Sequence, residues 1–325
     1  MNKKSRPLNT HTTATGDTPR AAMDRVKAGL ARTGYICSDS IATAVFLAQS
    51  LEKPVLIEGP PGVGKTELAK ATAESLGKTL IRMQCYEGLD ESKALYEWKY
   101  GKQLLYTQVL KEKLGDLMEG AVGLQASMDR LHEFDDTFFN VEFLEPRPLL
   151  KALWDEDGAV LLIDEIDKSD QEFEAFLLEL LQDYQISIPE IGTVKAKHIP
   201  VVFLTSNNTR EIGDALKRRC IHLYIPFPDT HLEQKIVESR VPELDATVRR
   251  QIVSFVQELR TVELKKLPAV SETIDWARTL LLLNADELDT ELVRSTLNIL
   301  LKFQDDIENI DGDLVAMTRK ALGAR

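Results

Sequence analysis

The fold is decided by the stretch Gly59-Pro60-Pro61-Gly62-Val63-Gly64-Lys65-Thr66. A short apolar run at residues 55–57 precedes it and is typical of a buried strand, while the pattern of Lys65–Leu76 predicts a helix that ends at Gly77. Glycines allow a backbone to approach a ligand closely, and consecutive N–H groups at a helix N-terminus can then surround phosphate oxygens. This order of strand, loop and helix therefore predicts a phosphate-binding loop.

The residue types of this loop also indicate its chemistry. The stretch matches the pattern G-x-x-x-x-G-K-[ST] at every position. Lys65 is expected to reach the β- and γ-phosphates of a bound nucleotide, and Thr66 to place its hydroxyl on Mg²⁺. The next residue, Glu67, is included in the predicted nucleotide-binding set. A glycine turn that merely enters a helix is the alternative, and the full motif between a strand and a helix argues against it.

A second motif places two carboxylates after a buried strand. The run Val160-Leu161-Leu162-Ile163 is followed by Asp164-Glu165, and ligands of open α/β sheets bind beyond the carboxyl ends of the strands. We expect Asp164 to hold the hydrated magnesium ion and Glu165 to orient and polarise the attacking water. A solvated acidic turn is the alternative for this pair taken alone.

Two further segments could complete the site. The predicted strand at 201–205 runs into Ser206-Asn207-Asn208, where an uncharged amide could hydrogen-bond the γ-phosphate or the water. The basic cluster Lys217-Arg218-Arg219 lies before another predicted strand, at 221–225, and one of its arginines could neutralise transition-state charge. An asparagine in a turn and a solvated basic turn remain the alternatives.

The apolar runs predict an α/β fold in which helices cover both faces of a parallel sheet, followed by a smaller all-α region. Buried-type strands are predicted at 55–57, 80–83, 159–163, 201–205 and 221–225, and helices at 40–51 and 171–181. Ser40 is the expected N-cap of the helix at 40–51. Beyond Pro228 the periodicity is helical, and a helix is predicted to carry Leu292, Leu300 and Phe303 on one face.

These patterns divide the chain into three expected parts. Residues 1–24 are expected to be a disordered tail, because they are polar and show no periodicity. Residues 25–228 form the predicted α/β nucleotide-binding domain, with an insertion at about 86–148. Residues 229–325 form the predicted helical lid domain, and the boundary falls at the proline-rich segment 226–228.

The composition limits the function classes that fit. The formal net charge of −12 disfavours a broad contact with nucleic acid. Cys37, Cys85 and Cys220 form no C-x-x-C pair, which disfavours a zinc site or a disulfide framework and fits a reducing cytoplasm. We predict no membrane span, since no apolar run approaches the roughly 18 residues that one requires. Residues 1–20 also lack the apolar core of a secretory signal.

The order of these motifs resembles that of the AAA+ ATPases, and within them the MoxR-type group, over about residues 34–310. The resemblance implies hydrolysis of ATP with Mg²⁺. It implies that Gly34-Tyr35-Ile36 borders the adenine, which adds Tyr35 and Ile36 to the nucleotide-binding set. Residues 185–197 resemble the family's hairpin before sensor 1, and residues 82–100 resemble its helix-2 insert, both candidates for contact with a client protein.

The same resemblance assigns roles beyond the two main motifs. Asn207, with Asn208 as the second choice, corresponds to the sensor 1 residue. Arg219, ahead of Arg218, corresponds to an arginine finger that acts on the ATP of a neighbouring subunit, which implies a homo-oligomeric ring, usually a hexamer. Family members often carry a sensor 2 arginine where this chain has residues 271–273, which leaves two alternatives: Arg278 takes that place, or the chain lacks the residue.

A narrower resemblance concerns three runs, at residues 84–90, 94–98 and 271–276, which are similar to the branch known as CoxD. That branch is associated with maturation of carbon monoxide dehydrogenase and related molybdenum hydroxylases. The resemblance implies a metalloenzyme client and a von Willebrand factor A domain protein as partner. The chain departs from a minimal AAA+ core near residues 101–145, which are additional and have no assigned role.

Other functions remain to be weighed against this one. An AAA+ machine acting on nucleic acid is disfavoured by the acidic charge and by the lack of a recognisable DNA-binding module. A nucleotide-gated scaffold with little turnover is disfavoured by the presence of both Glu165 and Arg219. A GTPase is disfavoured because the sequence shows no N-K-x-D element.

Overall fold

A computed structural model of the chain describes residues 18–106, 108, 140–189 and 191–323. The first 17 residues of the expected tail and most of the expected insertion lie outside the described residues. Within the described ranges, no helix combines the length and the apolar character needed to cross a membrane.

The described elements alternate along the first two thirds of the chain and are helical thereafter. The strands are β1 (Val55–Glu58), β2 (Leu80–Gln84), β3 (Tyr96–Trp98), β4 (Leu144–Pro146), β5 (Val160–Asp164), β6 (Gln185–Ile188), β7 (Gly192–Lys195), β8 (Val201–Ser206) and β9 (Ile221–Tyr224). The helices are α1 (Pro19–Arg32), α2 (Asp39–Leu51), α3 (Lys65–Leu76), α4 (Glu91–Ala94), α5 (Pro148–Trp154), α6 (Gln171–Asp183), α7 (Asp214–Lys217), α8 (Thr230–Arg240), α9 (Ala246–Leu259), α10 (Val270–Leu282), α11 (Thr290–Leu300), α12 (Gln304–Asp311) and α13 (Leu314–Ala321). Residues 100–106 are also helical.

Five strands form the central sheet in the order β2-β5-β8-β1-β9. Every neighbouring pair is parallel; Leu56 of β1, for example, lies opposite Leu204 of β8 and His222 of β9. Every residue of β5 is buried, as expected of a strand covered on both faces. The predicted parallel sheet is confirmed, and its topology brings the carboxyl ends of β1, β5 and β8 to one edge.

Alternation along the strands builds an apolar core on each face of this sheet. Val160 and Leu162 of β5 join the cluster that packs against α2 and α3. Leu161 and Ile163 join the cluster that packs against α5 and α6. Because successive side chains of a strand point to opposite faces, one buried run serves both cores.

The helices α8 to α13 form a third apolar cluster, which surrounds the buried indole of Trp276. A buried ion pair also joins three of these helices. Arg260, the C-cap residue of α9, donates two hydrogen bonds of 2.7 Å to Glu233 of α8, and Thr273 of α10 donates another, of 2.8 Å, to the same carboxylate. The predicted helical C-terminal region is confirmed over the described residues 230–323.

Two small antiparallel pairs lie outside the main sheet. Strands β6 and β7 pair from Gln185 opposite Lys195 to Ile188 opposite Gly192, so the hairpin expected at 185–197 is present. Strands β3 and β4 pair within the region expected to be an insertion. That pair joins the two described ends of the insertion beside the sheet.

The expected boundary of the N-terminal tail is corrected by the first helix. Residues 19–24 belong to α1, which begins at Pro19. The side chain of Thr18 accepts a hydrogen bond from the backbone N–H of Ala21. A threonine N-cap followed by proline is a favoured helix start, and this signal outweighs the polar composition on which the tail was predicted.

Two expectations about helix ends are also wrong. Helix α2 is capped by Ser38 rather than by Ser40, because the helix begins at Asp39 and the Ser38 hydroxyl accepts from the N–H of Ile41. Helix α11 ends at Leu300, after which the backbone becomes extended. Phe303 therefore does not continue the apolar face of that helix and is partly exposed to solvent.

Candidate nucleotide site

The loop before α3 adopts backbone conformations that favour glycine. Gly59, Gly62 and Gly64 have φ angles of 151°, 73° and 97°. A Cβ on Gly59 would lie 2.2 Å from the carbonyl oxygen of Ile225, so a side chain would require the backbone to move. The first N–H groups of α3, from Lys65 onward, have no carbonyl partner within the helix and can bind an anion.

Lys65 points back into this loop and is buried. Its Nζ donates at 2.7 Å to the carbonyl oxygens of Gly59 and Pro60 and to Oδ1 of Asn207. Burial lowers the pKa of this amine from 10.5 to about 8, although nearby carboxylates oppose the shift. Burial thus disfavours the charged amine, whereas an anion bound in the loop would stabilise it, as the nearby carboxylates do.

Asp164, at the end of β5, lies beside the first turn of α3 and is buried. Its Oδ1 accepts a hydrogen bond of 2.5 Å from Thr205 and one of 3.1 Å from the hydroxyl of Thr66. Arg82 of β2 donates to the other oxygen, Oδ2, through Nη2 at 2.7 Å and Nε at 3.1 Å. The structure thus brings together the carboxylate and the hydroxyl that were both predicted to face a metal ion.

Glu165 follows in a left-handed backbone conformation, with φ of 56°. Such a conformation is uncommon for a residue other than glycine, and here the backbone N–H donates to Oγ1 of Thr205 at 2.9 Å. The carboxylate accepts from Nε2 of Gln84 at 3.0 Å and from Nδ2 of Asn207 at 3.3 Å. Glu165 is therefore oriented by partners from two neighbouring strand ends.

These side chains line one cavity of about 480 Å³, which we call the nucleotide cavity. Its lining consists of Gly34, Tyr35, Ile36, Pro61, Gly62, Val63, Gly64, Lys65, Thr66, Glu67, Asp164, Glu165, Thr205, Asn207, Ile236, Arg240, Val270, Ser271, Ile274, Asp275 and Arg278. Of the predicted nucleotide-binding residues, Gly59 and Pro60 lie outside this lining and provide the carbonyl oxygens that hold Lys65. The other predicted residues of that set are brought together here.

Part of the lining is apolar and aromatic. Tyr35 is buried, and its hydroxyl donates to the carbonyl oxygen of Gly64 at 3.4 Å; burial raises its pKa well above the ordinary 10. Ile36 lines the same cavity together with Ile236 and Ile274 of the helical region. An apolar part beside a charged part suits a ligand with a flat base and a phosphate chain.

The helical region completes the cavity from α8 and α10. Arg240 donates to Glu67 at 3.3 Å and so links α8 to the first turn of α3. Arg278, one of the expected sensor 2 alternatives, lines the cavity within 3.5 Å of Asp275. A Cβ on Gly62 would lie 2.4 Å from Cβ of Ala269, so the helical region packs directly on the phosphate-binding loop.

The structure distinguishes the two asparagines after β8. Asn207 lies in the nucleotide cavity, where its amide contacts both Lys65 and Glu165. Asn208 has a left-handed backbone, with φ of 57°, and its N–H donates to the hydroxyl of Ser206. Asn207 therefore occupies the position in which an amide can contact the reacting groups.

The two arginines of the basic cluster lie away from the nucleotide cavity of their own chain. Arg219 donates to Oε1 of Gln182 at 3.0 Å and to the carbonyl oxygen of Ala215 at 3.1 Å. Arg218 is exposed. The fold places neither arginine in the lining of this cavity.

The side chains at Asp164 and Thr66 fit a magnesium ion. They offer a carboxylate and a hydroxyl, and Mg²⁺ prefers such oxygen ligands together with water and phosphate. Among the described residues, no group of three or more His, Cys, Asp or Glu side chains could hold a metal. A magnesium ion here would therefore take its remaining ligands from a nucleotide and from water.

Several side chains of the site were not identified from the sequence. Arg82 and Gln84 alternate with Ile81 and Met83 along β2, and this period of two could have indicated a polar face beside the site. Thr205 was predicted as the end of a strand and as the first residue of the run similar to sensor 1, without a contact of its own. The pairing of Arg240 with Glu67, in the first turn of α3, has no local sequence signal, because these residues are far apart in the chain.

Comparison with known families agrees with this geometry. The sequence profile of the AAA domain (dynein-related subfamily) matches residues 54–220, just over half of the chain. The chain belongs to this AAA family. Membership supports ATPase activity and implies that the chain binds a nucleotide, and members of the AAA+ group commonly assemble into rings.

Two curated relatives show how far the similarity extends. The gas vesicle ATPase GvpN of Haloferax mediterranei is 26% identical over 227 residues, which cover 64% of this chain and 56% of GvpN. An uncharacterized protein of Staphylococcus aureus is 27% identical over 248 residues, which cover 74% of this chain and 79% of that protein. The chain thus spans little more than half the length of GvpN.

A solved structure of a mutant RuvB from Thermotoga maritima is also similar. It is 18% identical and has a TM-score of 0.45, with 93% of this chain and 83% of that chain covered. A likeness of this size carries no functional argument.

Proposed function

We propose that the chain hydrolyses ATP in a magnesium-dependent reaction. One observation supports this most directly: Lys65, Thr66, Asp164, Glu165 and Asn207 meet in one cavity at the carboxyl edge of the sheet. They come from the phosphate-binding loop and from the ends of two neighbouring strands. Membership of the AAA family supports the same activity.

Each group has a distinct role in this proposal. The N–H groups of the loop and the ammonium of Lys65 bind the phosphates and offset their charge. Thr66 and Asp164 hold Mg²⁺, which supplies positive charge to the phosphate oxygens. Glu165 orients a water molecule and accepts its proton as the γ-phosphate is transferred. Asn207, placed between Lys65 and Glu165, keeps the carboxylate directed towards that water.

Substitution of Glu165 by glutamine tests the proposal. Glu165→Gln keeps the shape but removes the base, so we expect phosphate release to fall by at least about 100-fold while ATP affinity stays within about threefold. Phosphate release and equilibrium binding of a fluorescent ATP analogue measure the two quantities. Glu172→Gln, an exposed position on α6, is the matched control and should leave both unchanged. Normal turnover in Glu165→Gln would remove this residue from the proposed reaction.

We further propose that residues 25–228 and residues 229–325 act as two domains around the nucleotide. Two observations support this division. The helices after residue 229 have their own apolar cluster, and the nucleotide cavity takes side chains from both parts. Movement of the helical domain against the phosphate-binding loop would then change the cavity itself.

We also propose that the active form is a ring, of which a hexamer is the expected size, with Arg219 completing the site of a neighbouring copy. The support is the tendency of the AAA+ group to form rings and the distance of Arg219 from its own cavity. Removal of such a finger costs about 10³–10⁵ in rate in known systems. Arg219→Ala should therefore bind ATP but lose turnover, whereas Arg218→Ala should keep most of it.

Mixed rings test whether the finger acts between copies. A Lys65→Ala subunit still carries Arg219, and an Arg219→Ala subunit still carries a complete nucleotide cavity. Mixing the two inactive variants should restore part of the activity. Absence of any recovery, with mixed assemblies demonstrated by mass spectrometry, would contradict action in trans.

The proposed client is a protein. The runs at 84–90, 94–98 and 271–276 support a metalloenzyme of the molybdenum hydroxylase or carbon monoxide dehydrogenase type, together with a von Willebrand factor A domain partner. One relative is named as a gas vesicle ATPase, which makes a gas vesicle protein the second candidate. Affinity capture with the ATP-bound Glu165→Gln form distinguishes them. Salt-sensitive retention of DNA alone by that form would instead favour a nucleic-acid substrate.

A further inference from the structure

The loop that connects β8 to α7, residues 207–213, is fastened at both ends by buried carboxylates. Asp167 holds its beginning and Glu174 holds its end. Both carboxylates are buried, with exposed fractions of 3% and 5%. This loop carries Asn207, the amide that contacts Lys65 and Glu165 in the nucleotide cavity.

Asp167 makes its contacts mainly with the backbone of the loop. Its Oδ1 accepts from the N–H of Asn207 at 3.3 Å, and its Oδ2 accepts from the N–H of Thr209 at 3.0 Å and from the Thr209 hydroxyl at 2.5 Å. Burial acts to raise the pKa of Asp167, but these hydrogen bonds outweigh it, and the pKa lies below its ordinary value. The carboxylate is thus an ionised acceptor for three donors of one loop.

Asp167 lies three residues after Asp164 in a short 3₁₀ turn, Ile166–Lys168, that begins directly after Glu165. It lines a second cavity, together with Thr209 and Arg210, rather than the nucleotide cavity. It is therefore not part of the wall that would face a bound phosphate. Its position instead ties the turn that carries Glu165 to the loop that carries Asn207.

The other end of the loop is held independently. Glu174 of α6 accepts from the N–H of Gly213 at 2.9 Å and pairs with Arg210, which also donates to the carbonyl oxygen of Ser169 at 2.9 Å. Loss of Asp167 would therefore release only the first residues of the loop. The segment from Arg210 to α7 would stay attached to α6.

We infer that Asp167 is a positioning residue for the reaction, which fixes the distance between Asn207 and Glu165 by holding the backbone at the start of the loop 207–213. This inference rests on the proposed hydrolysis. A hydrogen-bonding group displaced by about 1 Å can cost on the order of 100-fold in rate. Asp167 thus acts on turnover through Asn207 and leaves the binding of the nucleotide to the phosphate-binding loop.

A double-mutant cycle with Asn207 tests this role. Asp167→Ala should lower kcat by at least about tenfold with the KM for ATP changed by less than about threefold. In an Asn207→Ala background the same change should lower kcat by less than about twofold, because the amide through which Asp167 acts is then absent. Amide exchange at Asn207 and Thr209 should become faster in Asp167→Ala without a matching change in α3.

Two further variants keep the test decisive. Asp167→Asn has the same shape and keeps one carbonyl acceptor, so it should fold if alanine does not and should show an intermediate loss of kcat. Asp170→Ala removes an exposed carboxylate three residues away, which caps α6 through the N–H of Phe173. It should lower the melting temperature and leave kcat within about twofold, since it does not contact the loop.

The outcomes separate this inference from the proposed function. Absence of hydrolysis by the wild-type chain would overturn both. Normal wild-type hydrolysis with independent, multiplicative losses for Asp167→Ala and Asn207→Ala would overturn the positioning role alone. So would unchanged amide exchange at Asn207 in a folded Asp167 variant.

Discussion

One wall of the nucleotide cavity, residues 61–67, is shaped by its backbone, whereas the other wall, on α8 and α10, is held by side chains packed outside the cavity. The first wall, which we call the phosphate wall, depends on the positive φ angles of its glycines. The second, the helical wall, depends on the buried pair of Arg260 and Glu233, which joins α9 to α8 and reaches α10 through Thr273. Substitutions in the two walls should therefore affect different properties of the protein.

Breaking the helical wall should have the largest effect, and it should fall on stability. Arg260 and Glu233 have side chains only 7% and 0% exposed. Removing one partner of a buried ion pair costs about 3–5 kcal/mol, because the other charge stays buried without compensation. We expect Arg260→Ala to lower the free energy of unfolding by this amount in chemical denaturation. Lys320→Ala breaks the exposed pair with Glu258 and should cost less than about 1 kcal/mol.

The reason for this loss can be tested within the same pair. Replacing both partners by apolar residues, Arg260→Met with Glu233→Leu, leaves no unpaired charge and should recover most of the lost stability. If the double variant is as unstable as Arg260→Ala, loss of packing rather than of charge pairing explains the effect.

A substitution in the phosphate wall should lower the affinity for ATP and leave the stability nearly unchanged. Lys65→Ala removes the cation that is oriented by three acceptors, so we expect ATP affinity to fall by at least about 100-fold, which is about 2.7 kcal/mol. The melting temperature without nucleotide should change little, because burial already disfavours the charged amine. Lys70→Ala, an exposed lysine on the same helix, is the control for loss of charge. Tight ATP binding by Lys65→Ala would contradict the assignment of this wall to the phosphates.

The comparison also shows which features the sequence could predict. The phosphate wall is encoded by residues that are adjacent in the sequence. Its glycines and Lys65 form one continuous motif, and Gly77 marks the end of the helix that follows. The structure has that helix at Lys65–Leu76, as predicted. The ends of the strands in the sheet were predicted to within one residue. A buried apolar run and the polar residues that follow it are short-range signals, so they can be recognised in the sequence. The fold class followed from their alternation with helices.

The helical wall could not be predicted in the same way. Arg240 of this wall contacts Glu67, and in the sheet Arg82 contacts Asp164, each across more than 80 positions of sequence. Which polar residues meet at such distances depends on how the helices pack and on which strands lie side by side, and composition or periodicity does not encode either. The same reason explains why Asp167 was not identified, since its partner Thr209 lies in the loop after the strand β8, 42 positions away.

The smallest predicted effect is a dependence of the phosphate wall on pH. The pKa of Lys65 is lowered by burial to about 8 in the free chain, and the charge of a bound triphosphate should raise it again. Above pH 8 the complex then binds more protons than the free chain does, so ATP affinity is fully present below pH 8 and declines as the pH rises. Between pH 7 and pH 9 we expect a loss of roughly tenfold.

Calorimetry separates this effect from a general loss of structure. Titrations in two buffers of different ionisation enthalpy should show close to one proton taken up per ATP at pH 9 and almost none at pH 7. In Lys65→Arg the side chain stays charged at both pH values. The ATP affinity of this variant, whatever its absolute value, should therefore be the same at pH 7 and at pH 9. An equal decline in Lys65→Arg, or no proton uptake by the wild type at pH 9, would show that the lysine is already charged in the free chain. The phosphate wall would then owe its pH dependence to other groups, and only its glycine geometry would still set it apart from the helical wall.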